Sequence, residues 1–248
     1  MEKYRMIEKS IIKKYRKEIW SKFIKAINDY HLIKPGDHIA VCISGGKDSF
    51  LLAKCFDELK RHNQYQFEIS YILMDPGYSK NHLETIKEIS NKLNIPLNIF
   101  NSPIFKIIQD KDTNPCYLCA KMRRGYLYDY AQSLNCNKIA LGHHFDDVIE
   151  TSLLNLLYAG DLNTMAPILN SKNFKNMELI RPLYYIREKD IIKWVNYNEL
   201  KFIGCACPLT KNNIGKRVEI KSLIQKLELQ YQDIPKNIFT AFNKLRDD

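Results

Sequence analysis

The sequence predicts an α/β fold in which helices cover both faces of a doubly wound, mainly parallel sheet. Three observations lead to this prediction. Short, almost wholly apolar segments recur along the chain, as in strands that are buried on both faces of a parallel sheet. Segments with a helical spacing of apolar residues alternate with them. A glycine turn joins the first apolar segment directly to a helix, an arrangement that binds phosphates.

The elements follow in order from a basic helix at the start of the chain. Apolar residues recur at every fourth position over 5–30, and a four-residue step drifts around a 3.6-residue helix, so we expect a bend or break near Ser21. A turn at 34–37 leads into the sheet. Strands are predicted at 38–43, 67–74, 96–100, 138–141 and near 178–181. Helices are predicted at 48–61, 81–93, after the first cysteine pair up to about 134, at 146–158 and over about the last 40 residues.

Length and composition restrict the class of protein. The 248 residues suffice for one large domain, which we divide into a basic helical segment, 1–34, an α/β domain, 35–204, and a cysteine loop with C-terminal helices, 205–248. With 45% apolar and 27% charged residues, the chain is predicted to be globular rather than disordered. It contains neither an apolar stretch of the roughly 18 residues that a membrane helix needs nor a secretion signal. We expect a cytoplasmic protein without a membrane partner.

The net charge of +10 favours a polyanionic partner, above all nucleic acid. Residues 1–30 contribute nine lysines and arginines against four acids. A solvated helix face in a lysine-rich chain is the alternative explanation of this excess. The candidate contacts to RNA phosphates lie in the first helix and just after the first cysteine pair: Lys13, Lys14, Arg16, Lys17, Lys121, Arg123 and Arg124.

The loop at 44–49 carries the most specific pattern. Two glycines permit a sharp turn and a close approach to an anion, which the free N–H groups of the following helix then face. The spacing differs from that of the NTPase P-loop and of the dinucleotide-binding fingerprint. The predicted phosphate-binding residues are Ser44, Gly45, Gly46, Lys47, Asp48 and Ser49.

Asp48 suggests a metal ion. A carboxylate beside a polyphosphate is repelled unless a cation lies between them, so we predict that Asp48 holds Mg²⁺. Aspartate is also a frequent helix N-cap, and the two roles are compatible. Lys47 and Asp48 are accordingly predicted to be catalytic.

Four of the seven cysteines form two clusters, Cys116 with Cys119 and Cys205 with Cys207. Two such pairs are consistent with structural zinc, with an iron–sulfur cluster or with free thiols, and the spacing does not separate these options. The other three cysteines lie in apolar or helical contexts, which predicts small core residues. These are Cys42, Cys55 and Cys136.

Residues 142–147, which read GHHFDD, follow a predicted strand and open a helix. Asp146 and Asp147 complement the helix dipole there, and they are also placed to hold Mg²⁺ or to act as a base. We therefore predict that both are catalytic and that Gly142 contributes to the cofactor site. His143 and His144, which lie between Gly142 and these aspartates in the sequence, are predicted to shape the site.

Taken in order, SGGKDS at 44–49, CYLCAKMRRG at 116–125, KIALGHHFDDVIET at 138–151 and IRPLYYIREKDI at 180–191 resemble the TtcA-like tRNA 2-thiocytidine synthetases. These belong to the PP-loop ATP pyrophosphatase superfamily. The resemblance covers roughly 15–210. It implies that ATP adenylates a tRNA cytidine at its C2 oxygen, with release of AMP and pyrophosphate, and that sulfur is inserted with the help of a [4Fe-4S] cluster.

The resemblance also assigns ligands. Cys116 and Cys119 match the family's first pair. The family's second pair is separated by two residues, here by one, and related uridine thiolases place their third ligand before a proline, which favours Cys207 over Cys205. Met74 corresponds to a strand end that contacts adenine. The implied partners are tRNA and a sulfur donor (sulfide or a cysteine desulfurase persulfide). A homodimer is a further expectation, which does not follow from the resemblance.

Three other functions remain open from the sequence. A thiolase for uridine or for a substrate other than tRNA would keep the cysteines. A ligase similar to lysidine synthetase would use the same ATP chemistry but has no need of the cysteine clusters. A zinc-stabilised RNA-binding module would not need Lys47 or Asp48.

Overall fold

The fold is known from a computed structural model that describes residues 2–62, 65–109, 115–202 and 215–247, except for the side chains of 108, 109, 115–117, 120 and 247. In these residues, six strands form one sheet in the order β3-β2-β1-β4-β6-β5. They are β1 (Asp37–Ile43), β2 (Phe67–Asp75), β3 (Leu97–Asn101), β4 (Lys138–Ala140), β5 (Ile168–Asn170) and β6 (Glu178–Ile180). All neighbours are parallel except β5 and β6. The predicted mainly parallel sheet is confirmed, and β5 is an antiparallel edge strand that the sequence did not predict.

The helices lie on both faces of the sheet. They are α1 (Lys3–Ile12), α2 (Ser21–Asp29), α3 (Lys47–His62), α4 (Lys80–Lys92), α5 (Ile104–Gln109), α6 (Pro115–Ser133), α7 (Phe145–Leu154), α8 (Glu188–Tyr197), α9 (Lys216–Gln230) and α10 (Ile234–Asp247). A π-helical turn at Arg16–Trp20 interrupts the first predicted helix, and α2 begins at Ser21. The break thus lies earlier than predicted, because α1 already ends at Ile12, whereas the π-helical turn continues directly into α2 at Ser21. A second π-helical turn, Asn155–Ala159, follows α7.

Alternate residues of β1 supply two separate hydrophobic cores. Ile39 and Val41 point into the larger core, which contains side chains from α2, α3 and α8. Ala40 and Cys42 point into the smaller core beneath α6. A strand buried on both faces explains the continuous apolar run in the sequence.

Side chains from all three predicted segments share the larger core. Phe23 lies in the first segment, Phe50 in the second and Phe239 in the third, and all three are buried in it. The division at 34 and 204 stays a prediction. Cys42, Cys55 and Cys136 are buried, which confirms the expectation that they are small core residues.

The first cysteine pair does not precede its helix, as the sequence suggested, but lies inside it. α6 begins at Pro115, so Cys116 is its second residue and Cys119 its fifth. Proline favours the first position of a helix because its missing N–H would be unpaired there anyway. Among the described residues, no helix is long and apolar enough to cross a membrane.

Candidate functional site

A pocket of about 530 Å³ opens beyond the carboxyl ends of β1, β2 and β4. The strand order reverses between β1 and β4, and open α/β sheets bind ligands at this point. The pocket contains residues from all four sequence motifs. Its lining includes Cys42, Ser44, Asp48, Ser49, Met74, Tyr78, Arg123, Arg124, Gly142, His143, Asp147 and Arg181.

The phosphate loop between β1 and α3 is held in shape from within. Gly45 has a φ of +89°, and a Cβ atom there would lie 2.9 Å from Cδ1 of Ile86. The buried hydroxyl of Ser49 accepts the backbone N–H of Ser44 at 3.1 Å and donates to the carbonyl of Gly46 at 2.9 Å. A hydroxyl has one proton to donate. Ser49 therefore shapes the loop through its hydroxyl, and its predicted binding of phosphate stays a prediction.

Gly142 brings the loop after β4 against the start of α3. A Cβ atom at this position would lie 3.0 Å from the backbone carbon of Asp48 and 3.0 Å from the backbone nitrogen of Ser49. Neither backbone atom can yield without moving the phosphate loop. The site thus needs glycine at this position for close packing.

Lys47 is engaged by two carboxylates. Its ammonium group lies 3.2 Å from Oδ2 of Asp48 and 3.0 Å from Oε1 of Glu188, the first residue of α8. Burial alone would lower the pKa of Lys47, but the two carboxylates outweigh it and raise the pKa. Lys47 is therefore a permanent cation at the phosphate loop.

Asp48 has a carboxylate oxygen in need of a partner. Its buried Oδ1 accepts no hydrogen bond from any residue that the structure describes. Burial raises the pKa of Asp48, and His144 and Lys47 offset only part of this rise. A buried oxygen without a partner is costly unless a cation supplies one. The donor therefore fits the predicted Mg²⁺, which takes oxygen ligands.

His144 closes the other side of Asp48. It is the N-cap of α7, and its Nδ1 accepts the N–H of Asp147 at 3.3 Å. Its Nε2 lies 3.9 Å from Oδ1 of Asp48. This agrees with the site-shaping role predicted for the histidines.

Asp147 lines the pocket as a fixed anion. Its Oδ2 accepts the N–H of His144 at 3.0 Å, and its Oδ1 accepts from Arg217 of α9 at 2.8 Å. Burial would raise the pKa of Asp147, but His144, His143 and Arg217 outweigh it, and the pKa is lowered. A lowered pKa makes a weak base. Of the two predicted roles, holding Mg²⁺ or acting as a base, the lowered pKa disfavours the second.

Asp146 turns away from this pocket, so the expectation that both aspartates act there needs correction. Its Oδ1 accepts from Nε of Arg187 at 3.0 Å, and its Oδ2 accepts the backbone N–H of Glu188 at 2.6 Å. It lines a second cavity, between α7, α8 and α9. Successive residues at a helix start point in different directions, which separates the two carboxylates.

The far wall of the pocket is basic. Arg123 and Arg124, predicted to bind RNA, line it together with Met74. Arg181 is buried and donates from Nε to Nδ1 of His143 at 3.3 Å. Burial and the charge of Arg181 lower the pKa of His143 to about 4, so this histidine is neutral at physiological pH.

Of the predicted cluster ligands, the structure describes only the side chain of Cys119. It is half-buried and packs against the apolar cluster of Met74, Ile104 and Phe105, so it lies beside the pocket. The side chain of Cys116 and the whole of Cys205 and Cys207 lie outside the described residues. Within those residues, no group of three or more His, Cys, Asp or Glu could hold a metal. A thiol one helical turn before Arg123 has the soft-donor chemistry that an iron–sulfur cluster requires.

The comparisons with known proteins agree with this geometry. A family model described as a PP-loop domain matches residues 15–207. The chain is 38% identical over 235 residues to the tRNA-cytidine(32) 2-sulfurtransferase of Shewanella baltica (strain OS155 / ATCC BAA-1091), covering 92% of this chain and 73% of that protein. The chain belongs to this PP-loop family. A second 2-sulfurtransferase, from Geotalea uraniireducens (strain Rf4), is 38% identical over 220 residues, which cover 88% of this chain and 87% of that protein.

A solved structure has the same fold. The U34-tRNA thiolase NcsA from Methanococcus maripaludis, determined with its [4Fe-4S] cluster, superposes with a TM-score of 0.73 at 21% identity. The match covers 91% of this chain and 77% of that one. The predicted PP-loop fold is thereby confirmed.

In this PP-loop protein, the basic residues of the N-terminal segment lie apart from the pocket. Lys13, Lys14, Arg16 and Lys17 are all exposed. The ammonium of Lys14 lies 3.6 Å from the ring centre of Tyr197, at the end of α8 opposite to Glu188. The length of α8, about 15 Å, therefore separates this cluster from the phosphate loop.

Sequence reasoning missed three charged residues of the site: Arg181, Glu188 and Arg217. The first two lie in the fourth motif, IRPLYYIREKDI, which supports the family resemblance but suggests no site residue by itself. The carboxylate of Glu188 contacts Lys47 across 141 positions of sequence, so no local pattern could have paired them. Arg217 follows the second cysteine cluster by ten positions and has no motif of its own.

Proposed function

We infer that this protein is an ATP-dependent tRNA thiolase that converts cytidine to 2-thiocytidine. The observation that carries this proposal is the meeting of four motifs in one pocket, where a buried oxygen of Asp48 has no partner among the described residues. The named activity of the two 2-sulfurtransferase relatives supports cytidine as the target base. The pocket is large enough for a nucleotide next to a base.

The first step activates the base. The C2 oxygen of cytidine attacks the α-phosphorus of ATP, the bond from this phosphorus to the bridging oxygen breaks, and pyrophosphate leaves. Lys47 and the backbone amides of 45–47 stabilise the charge that develops on pyrophosphate. Asp48 would hold Mg²⁺, which supplies further neutralisation of the phosphates when bound. Asp147, as a fixed anion, stabilises the cationic adenylated base.

The second step replaces oxygen by sulfur. Hydrosulfide attacks C2, the bond from C2 to its oxygen breaks, AMP leaves with that oxygen, and the hydrosulfide proton is released. No oxidant or reductant is needed. Cys116, Cys119 and Cys207 would hold the [4Fe-4S] cluster, which supplies an iron able to bind sulfur when present. Hydrosulfide is the proposed attacking species, and a persulfide from a cysteine desulfurase would supply it only after reduction by a thiol, which becomes a disulfide.

The tRNA must present its target base out of the stack to reach the pocket. Arg123 and Arg124 line the pocket and are our candidates to meet the phosphates next to this base, with Lys121 on the same helix. The cluster of Lys13, Lys14, Arg16 and Lys17 would grip a more distant part of the tRNA. A homodimer stays a prediction.

The ligand set is tested by iron content after purification without oxygen. Replacing Cys116, Cys119 or Cys207 by serine should remove most of the iron and the broad visible absorbance. The same change at the buried Cys42, Cys55 or Cys136 should leave both in place. Loss of the cluster in Cys205→Ser together with its retention in Cys207→Ser would contradict the third ligand, and zinc in the wild-type protein would contradict the cluster.

A further inference from the structure

Glu188 lies between two lysines that come from different helices. Its Oε1 accepts from Nζ of Lys47 at 3.0 Å, and its Oε2 accepts from Nζ of Lys221 at 2.5 Å. Lys47 begins α3, Glu188 begins α8, and Lys221 lies in the second turn of α9. One carboxylate therefore connects α9 to the phosphate loop.

The position of Glu188 is fixed by its backbone. Its N–H donates to Oδ2 of Asp146 at 2.6 Å, and the preceding Arg187 donates to the same carboxylate. Burial would raise the pKa of Glu188, but the hydrogen bonds from Lys221 and Lys47 outweigh it and lower the pKa to about 2. Glu188 is therefore anionic at every pH at which the protein works, and its backbone cannot follow Lys47 if that lysine moves.

This geometry sets up a competition. The Lys47 ammonium is already balanced by Glu188 and Asp48, yet the phosphate loop is built for a polyphosphate. A bound triphosphate attracts Lys47 away from Glu188. The Glu188 side chain is only 18% exposed, so losing Lys47 would leave it poorly solvated if Lys221 were not on its other oxygen.

We propose that Glu188 and Lys221 are positioning residues for Lys47. Glu188 holds the ammonium in place until the polyphosphate binds, and Lys221 keeps Glu188 paired once Lys47 has turned to the phosphates. The proposal deepens the proposed function and rests on it only for the identity of the polyphosphate as ATP.

The test is equilibrium binding of ATP with Mg²⁺ to the full-length protein purified without oxygen, with no tRNA or sulfide present, so that thiolation does not occur. Lys221→Met should weaken binding about fivefold, the effect of losing one partly exposed ion pair. Glu188→Gln should bind ATP at least as tightly as the wild type, because the competitor of the phosphates is gone. In the Glu188→Gln background, Lys221→Met should have no further effect.

A matched control is available on the same pair of helices. Lys189 of α8 lies 3.0 Å from Glu228 of α9, which is not one of the two carboxylates that contact Lys47. Lys189→Met therefore reports any general loosening of α9 and should leave ATP binding unchanged. Lys221→Arg keeps the charge and should bind like the wild type. If Glu188→Gln does not fold, the comparison of ATP binding between Lys221→Met and Lys221→Arg still tests the proposal.

Two results would overturn the proposal. The first is an equal effect of Lys221→Met in both backgrounds, which would indicate a purely structural contact. The second is weaker ATP binding in Glu188→Gln, which would mean that the carboxylate serves the nucleotide or its metal directly. Absence of thionucleoside from a wild-type reaction would contradict the proposed function but would leave these binding constants valid.

Discussion

Helix α3 carries two lysine–carboxylate clusters, two helical turns apart, that differ in how completely their charges are paired. Lys54 is fully buried, and its ammonium bonds to Glu8 and Asp57, each at 2.6 Å, and to the carbonyl of Leu93 at 2.7 Å. Lys47 is 25% exposed and contacts its two carboxylates at 3.2 and 3.0 Å.

The contrast separates charges that hold the fold from charges that are available to a ligand. Three partners use all three hydrogen-bond donors of Lys54, so none is available to a ligand. This cluster connects α1 to α3. At the other end of the helix, Oδ1 of Asp48 has no hydrogen-bond partner among the described residues. The incomplete cluster is the one that faces the pocket.

The largest expected effect comes from replacing one acid of each cluster by its amide. Asp48→Asn should lower the rate of ATP-dependent thiolation by about 10³-fold, because it removes the proposed metal ligand. The fold and the iron content should persist, since Asp48 lies at the edge of a pocket.

Asp57→Asn is the control for this loss. Asp57 belongs to the cluster of Lys54, so its replacement should lower stability but keep the thiolation rate. Products are measured alongside by chromatography, and AMP with pyrophosphate is expected. ADP with orthophosphate as primary products would contradict the PP-loop chemistry.

The second largest effect is on stability and falls on the buried cluster. Lys54→Met should lower the free energy of unfolding by about 3 kcal/mol, because it leaves Glu8 buried with one partner fewer. The value lies at the low end of the usual range because Arg61 also bonds to Glu8. Equilibrium unfolding in urea measures it.

Lys47→Met is the matched change on the same helix and should alter stability by less than about 1 kcal/mol, since its pairs are partly exposed. Equal losses in the two variants would remove the distinction between the clusters.

A smaller effect concerns pH. Asp48 must be ionised to hold Mg²⁺, and burial raises its pKa above the ordinary 3.8. Mg²⁺-dependent ATP binding should therefore decline, as the pH falls, at a higher pH than for an exposed aspartate. The pKa of Glu188 is shifted the other way, from the ordinary 4.5 to about 2. The ion pairs of Glu188 therefore contribute fully to stability above pH 4.5, and this contribution is lost as the pH falls towards 2. Calorimetric titrations with ATP over a pH series measure the decline of binding that the protonation of Asp48 causes. Binding that persists below pH 3.8 would refute the assignment of Asp48.

The smallest effect concerns the basic cluster that α1 and the π-helical turn carry. Replacing Lys13, Lys14, Arg16 and Lys17 by alanine should flatten the dependence of tRNA affinity on salt, because each lost phosphate contact removes roughly 0.7–0.9 from the logarithmic slope. Alanine at four exposed lysines elsewhere makes the same change in net charge and should leave the slope nearly intact. These are Lys80, Lys87, Lys92 and Lys175. If both quadruple variants show the same dependence of tRNA affinity on salt, the basic cluster of α1 and the π-helical turn is only a solvated surface and does not bind tRNA.

The sequence was sufficient to predict the sheet and the phosphate loop because both depend on local patterns. The apolar run of β1 and the two glycines after it identify a buried strand and an anion-binding turn without any distant partner. The antiparallel strand β5 was missed because only three residues pair there, and two of them are exposed.

The division of labour within the site could not be predicted in this way. Asp146 and Asp147 are adjacent and identical in type, and only the positions of Arg187 and Arg217, from two other helices, decide that one orients α8 while the other faces the pocket. The hydroxyl of Ser49 is another such case, since it donates its hydrogen bond to the backbone carbonyl of Gly46 within the loop. Local patterns identify which residues gather at the site, and tertiary contacts decide what each one does.

The central claim, ATP-dependent thiolation of tRNA, is tested most directly by nucleoside mass spectrometry. The purified wild-type protein is incubated without oxygen with ATP, Mg²⁺, a sulfide source and an unmodified tRNA transcript, and the RNA is then digested. We expect 2-thiocytidine that depends on ATP and forms about 10³-fold more slowly with Asp48→Asn. Finding 2-thiouridine instead would keep the chemistry but change the target base, whereas finding no thionucleoside in any tRNA would contradict the account.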